Sequence, residues 1–124
     1  MGKIKVKIEI TSLDSEYKFQ TVGEYKNERI KFVDGEGDVN YIIKHNDIIE
    51  YYKKGNVDMK YKFDLDAVTK GHYTVMSNKF EFDIVTHTMT IDDDYIYIKY
   101  DLYQSDELVN TTELKVDYQV KEES

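Results

Sequence analysis

The chain has no cysteine and no proline among its 124 residues, and Arg29 is the only arginine among 17 basic side chains. Without cysteine there are no disulfides, thiolate metal sites or thiol nucleophiles, a composition that agrees with a reducing compartment. Without proline, the turns fall mainly to Asn, Asp and Gly. Long apolar runs are missing too, since none approaches the ~20 residues that a membrane helix needs. The opening "MGKIKVKIEI" alternates lysine with isoleucine or valine, unlike the apolar block of a secretory signal, and Val6 stands where a myristoylation pattern requires Ser or Thr. The expectation is a cytoplasmic protein without membrane attachment. A formal charge of −8 repels phosphate backbones. With no basic stripe interleaved with aromatics to offset it, nucleic acid is not an expected partner.

What the chain does have is alternation. Residues 3–11 put Ile4, Val6, Ile8 and Ile10 on one face and Lys3, Lys5, Lys7 and Glu9 on the other. Residues 57–65 repeat the pattern, with Val57, Met59, Tyr61, Phe63 and Leu65 opposing Asp58, Lys60, Lys62 and Asp64. Period two marks a half-buried strand. Further strands are read at 17–25, 29–33, 39–45, 48–53 and 71–76, and "DLDAVTK" (64–70) has room for one turn of helix. The final third reads as three strands. The second of them, 95–102, turns Ile96, Ile98, Tyr100 and Leu102 inward. The last, 108–120, turns inward Leu108, Asn110, Thr112, Leu114, Val116, Tyr118 and Val120. Roughly eight to ten strands with short links predict an all-β, antiparallel up-and-down barrel over 1–124 as a single domain, because closure removes exposed edges. A two-sheet sandwich is the rival.

The first strand of that final third, "KFEFDIVTHTMTI", changes parity. Phe80, Phe82 and Ile84 share one face, whereas Val85, His87, Met89 and Ile91 share the other. Val85, Met89 and Ile91 are too apolar to be exposed together, so a bulge is predicted near Ile84-Val85, with His87 inward and Thr86 the alternative inward residue.

Four stretches carry a resemblance. These are "TVGEY" (21–25), the "KKG" turn (53–55) leading to Met59 and Phe63, "FEFDIVT" ending at Thr86, and "YIYIKYDL" before the last alternating strand. Over nearly its whole length the chain resembles the YwiB-like proteins, a bacterial family of unassigned function. It departs from their pattern at Asn78-Lys79, where the family tends to have glycine. The resemblance implies a calycin-type, lipocalin-like barrel and cytoplasmic residence, and brings no active site with it.

Motifs for chemistry are sparse. Asp34, Glu36 and Asp38 alternate like the first ligands of a calcium loop, but Val39 and His45 stand where glycine and glutamate belong. Asp92–Asp94 reads as a hydrated turn. His45, His72 and His87 lack the spacing of a shared metal site, and no serine sits in a nucleophile elbow. No metal, cofactor or enzymatic activity is expected.

Tyrosine is the unusual feature, with twelve copies. Tyr17, Tyr41, Tyr61, Tyr73, Tyr100 and Tyr118 fall on inward parities with Phe19, Phe32, Phe63, Phe80 and Phe82. Such rings either enclose an apolar space with converging hydroxyls or interlock into a solid core. The leading expectation is a non-enzymatic barrel that binds a small apolar or amphipathic ligand inside, on Phe19, Tyr41, Tyr61, Phe63, Phe82, Thr86, His87 and Tyr100. Arg29, alternating with Ile30 and Phe32, is read as outward, which counts against anionic lipids. The alternative is a filled barrel, monomer or homodimer, that docks a protein through outward aromatics such as Tyr51, Tyr95 or Tyr97.

Overall fold

Lysine on one side and aliphatics on the other give each strand one face to bury, and the chain buries these faces against one another by rolling the sheet into a ring. The computed structural model describes residues 2–120. Its ten strands are β1 (Gly2–Thr11), β2 (Glu16–Lys26), β3 (Arg29–Val33), β4 (Val39–His45), β5 (Ile48–Lys54), β6 (Val57–Asp64), β7 (Thr69–Val75), β8 (Asn78–Ile91), β9 (Tyr95–Gln104) and β10 (Glu107–Val120). Each pairs antiparallel with the next, and β1 returns to pair with β10, from Ile4 opposite Val120 to Thr11 opposite Glu113. The result is a closed up-and-down barrel rather than a sandwich. Residues 65–68 form a turn held by Asp64, whose Oδ1 accepts the Asp66 amide at 2.9 Å, so the predicted helical turn does not form.

The interior is built from the predicted alternation. Ile4, Val6 and Ile8 of β1 meet Ile96 and Ile98 of β9 and Leu114, Val116 and Tyr118 of β10, all buried. Ile30, Phe32, Ile42, Ile49, Phe63 and Ile84 complete the ring of buried side chains. Gly23 is required on β2 because a Cβ there would run into the Lys31 carbonyl and the Phe32 and Val6 side chains.

Two bulges reset the parity. On β8, Thr86 lies opposite Tyr100 and Thr88 opposite Lys99, leaving His87 as the extra residue. The bulge thus lies beyond the predicted Ile84-Val85: Ile84 and Thr86 are buried, Met89 and Ile91 are half-buried against the core, and His87 is outside. On β10, Val109 is the extra residue, so Leu108 is exposed instead of inward. The Val120 side chain lies outside the described ones, and Leu65, on its turn, is exposed.

Three hairpins turn through two residues that both have left-handed φ: Asn27-Glu28, Met76-Ser77 and Ser105-Asp106, all between +50° and +67°. This matches the right-handed twist of the flanking strands, but Met76 and Ser77 carry Cβ atoms in a region that favours Asn and Gly. Met76→Asn combined with Ser77→Gly is expected to raise stability by about 1–2 kcal/mol. Urea unfolding monitored by tyrosine fluorescence measures it, and an unchanged midpoint would show that this turn stores no strain.

Candidate functional site

The two ends of the barrel differ. At the end bearing turns 27–28, 46–47, 65–68 and 92–94, a cation plugs the interior. Lys44 lies opposite Ile49 on the inward phase, and its Nζ donates to the Tyr118 hydroxyl at 2.8 Å and pairs with Glu28 at 3.3 Å. It also lies 5.5 Å and 5.4 Å from the ring centroids of Tyr25 and Tyr118. Tyr118 in turn donates to the Asp92 carbonyl at 3.1 Å. Burial works against the Lys44 charge, but Tyr118, Tyr25 and Glu28 outweigh it and push the ammonium pKa well up.

The opposite end, with turns 12–15, 34–38, 55–56, 76–77 and 105–106, carries aromatics on the inward phase that the core does not cover. Tyr17 stacks on Phe19 and Phe80 on Phe82, with ring centroids 6.3 Å and 6.4 Å apart, and Tyr73 leans on Phe80. Phe19 and Phe82 pack against the core, while Tyr17 and Phe80 keep 43% and 40% of their surface in solvent. The 34–38 loop folds over one side of this mouth, bringing Gly35 against the Phe19 ring. Asp34 holds the loop in place by accepting the amides of Glu36 and Asp38 at 3.0 and 3.1 Å, Asn40 Nδ2 at 3.0 Å and Lys53 at 3.4 Å. Asp38, buried, accepts the amides of Asn56 at 2.6 Å and Val57 at 3.3 Å. The Tyr51 hydroxyl donates to Asn40 Oδ1 at 2.6 Å, tying the network into the core.

The β8–β10 wall holds two polar atoms without partners, Asn110 Oδ1 near the mouth and, deeper, Thr86 Oγ1 opposite Tyr100. Thr86 is only 6% exposed. Beside them, Tyr100, Tyr61 and Phe63 interlock, with the Phe63–Tyr100 centroids 4.7 Å apart. Burial pushes the phenols of Tyr61 and Tyr100 well up, keeping both neutral.

Residues 3–116 match the family model described as a domain of unknown function, DUF1934. The chain belongs to that family. Among solved structures, the barrel is similar to the ywiB protein from Bacillus subtilis, with a TM-score of 0.77 over 98% of this chain and 93% of that one, at 16% identity. At that identity the likeness speaks for the fold. No curated protein matches the chain.

The sequence-predicted site residues divide accordingly. Phe19 and Phe82 stand at the mouth, Thr86 lies below it, and Tyr61, Phe63 and Tyr100 fill the centre ring against ring. Tyr41 and His87 are corrections. Tyr41 lies opposite Lys31 and Tyr52 on the outer wall, where Arg29 and Lys31 cover its ring at 5.5 and 5.8 Å. His87 is lifted outward by its bulge and bonds through Nε2 to Asp101 at 2.7 Å, while Thr111 donates to the same carboxylate at 2.8 Å. Burial opposes the Asp101 charge, but His87 and Thr111 win and hold its carboxyl below the usual range. Tyr51, read as an outward anchor, is instead buried. Sequence reasoning missed Tyr17, Tyr73, Phe80 and Asn110 as mouth residues. Their inward parity was legible, but their place at one open end was not. Among the described residues, surface concavities of about 310–480 Å³ lie on the outer wall and around the Lys44 end, lined by residues other than the mouth aromatics.

Burial works against the Asp34 charge as well, but Asn40, the two amides and Lys53 hold its carboxyl below the usual range. That stabilisation is complete above the unfolded value near pH ~4 and is lost as pH falls through the lower folded value. Asp34→Asn is therefore expected to cost about 1–3 kcal/mol at pH 7, with the gap to the parent closing below pH ~4. Urea titrations across pH measure this, and a pH-independent gap would contradict it.

Proposed function

We propose that this protein is a non-enzymatic cytoplasmic barrel that binds a small, partly apolar ligand in the aromatic mouth rather than deep in the barrel. One observation carries the reading. Tyr17 and Phe80 sit on the inward phase yet stay about two-fifths exposed, and Asn110 Oδ1, near the mouth end of β10, has no partner. Exposed aromatic faces converging with a few unmatched polar atoms are how small-molecule sites are commonly built. The implied lipocalin-like architecture supports it by analogy alone. The interlocked centre favours a second reading, in which the same aromatic faces dock a protein partner.

N-phenyl-1-naphthylamine, a neutral apolar fluorophore, tests the first reading. It is expected to bind with one-to-one stoichiometry and fluoresce on the parent protein. Phe80→Ser, which alters a partly exposed ring, should weaken it about five- to tenfold without lowering the melting temperature by more than a few degrees. Absence of enhancement on folded protein, or equal enhancement on the variant, would remove the mouth as the ligand seat.

A further inference from the structure

The loops at the aromatic end carry Asp14, Asp34, Glu36, Asp38 and Asp106, and no lysine or arginine. On the adjoining strands, Lys18, Lys54 and Lys79 lie opposite the outward residues Glu9, Val39 and Thr74. Lys53 does point inward, but it is committed to Asp34 at 3.4 Å. The opposite end is also rich in carboxylates, yet it has Lys44 as its internal cation. The mouth has aromatic faces instead. Burial first, and then Asp34 and Glu36, push the Tyr17 phenol up; burial, Glu36 and Asp38 do the same to Tyr73. The negative field therefore reaches both sides of the mouth. Ring faces and carboxylates both attract positive charge, and the unpartnered Asn110 Oδ1 near the mouth end of β10 can accept a hydrogen bond from an N–H donor.

Resting on the ligand-binding reading, we propose that the mouth selects an organic cation, an amine whose apolar body stacks on Phe19, Phe80 and Phe82 while its charge faces Glu36 and the neighbouring loop carboxylates. Apolar carboxylates are rejected by the same field.

A matched series tests this by calorimetric titration of the full chain: 1-naphthylmethylamine as cation, 1-naphthalenemethanol as neutral analogue and 1-naphthoate as anion. At ~10 mM salt the amine is expected to bind about tenfold more tightly than the alcohol and more tightly still than the anion. The preference should shrink in ~1 M salt, where fields are screened within ~3 Å. Glu36→Gln, at an exposed side chain, should cut the preference by about threefold while leaving the alcohol unaffected. Equal binding of amine and alcohol overturns the charge selection and leaves the ligand reading intact. Amine binding that neither Glu36→Gln nor Phe80→Ser alters places the cation elsewhere and also overturns it. Failure of all three naphthalenes to bind overturns the ligand reading and this inference together.

Discussion

The pairing of β1 with β10 is the constraint on which the rest depends. Ile4, Val6 and Ile8 can be fully buried only because β1 has a neighbour on each side, β2 and the last strand of the chain. Closing the ring joins the two ends of the chain in sequence, so the contact that seals the core is also among the least local, and loop-closure entropy must be overcome before it contributes. In exchange, the pairing leaves no open edge on a sheet rich in β-branched and aromatic residues.

Once the ring is closed, the interior has to be filled, and polar groups inside have to be matched. The centre solves this with bulk, since Phe63, Tyr61 and Tyr100 interlock and Gly71 removes the one Cβ that would collide with Ile84 and Tyr61. The Lys44 end solves it with charge and hydrogen bonds, where an inward ammonium is shared between a phenol, a carboxylate and two ring faces. The remaining end is closed on one side only, by the Asp34–Asn40–Tyr51 chain and the loop it holds. Tyr17 of β2 and Phe80 of β8 keep their ring faces partly in solvent there. The mouth is thus what remains when a barrel of this size is filled from the middle and plugged at one end.

The strands were nearly all legible in the sequence because period-two alternation is a direct imprint of which face is wet. β3 and β4 begin and end at the predicted residues. What alternation cannot fix is the phase beyond an irregularity. Leu108 faces solvent because Val109 interrupts β10, and nothing in "ELVNTTEL" marks that position. Tyrosine is the other source of error, since a ring with a polar tip suits either side of a sheet. Tyr41, read as inward, lies outside under Arg29 and Lys31, whereas Tyr51, read as outward, lies inside because Asn40 accepts its hydroxyl. That bond joins β4 to β5, and only the register between them makes it visible. The mouth was legible as a set of inward aromatics but not as a place, because which end of the barrel stays open is decided by loops and by Lys44.

The position of the β8 bulge decides what stands beside Tyr100. Had the extra residue been at Ile84-Val85, an imidazole would have entered the interior and Thr86 would have turned to solvent. With the bulge at His87, the imidazole goes outside, where it bonds to Asp101 at 2.7 Å. The interior receives a hydroxyl instead, and that hydroxyl has no partner. A buried hydroxyl left unsatisfied costs about 1–3 kcal/mol, more than a well-packed valine of similar shape would incur. The same wall carries the equally unpartnered Asn110 Oδ1, reached through the bulge at Val109. The two bulged strands, β8 and β10, flank β9, and each carries one unmatched polar atom on this wall of the barrel. Each unmatched polar atom lowers the stability that an apolar side chain of the same shape would give this wall.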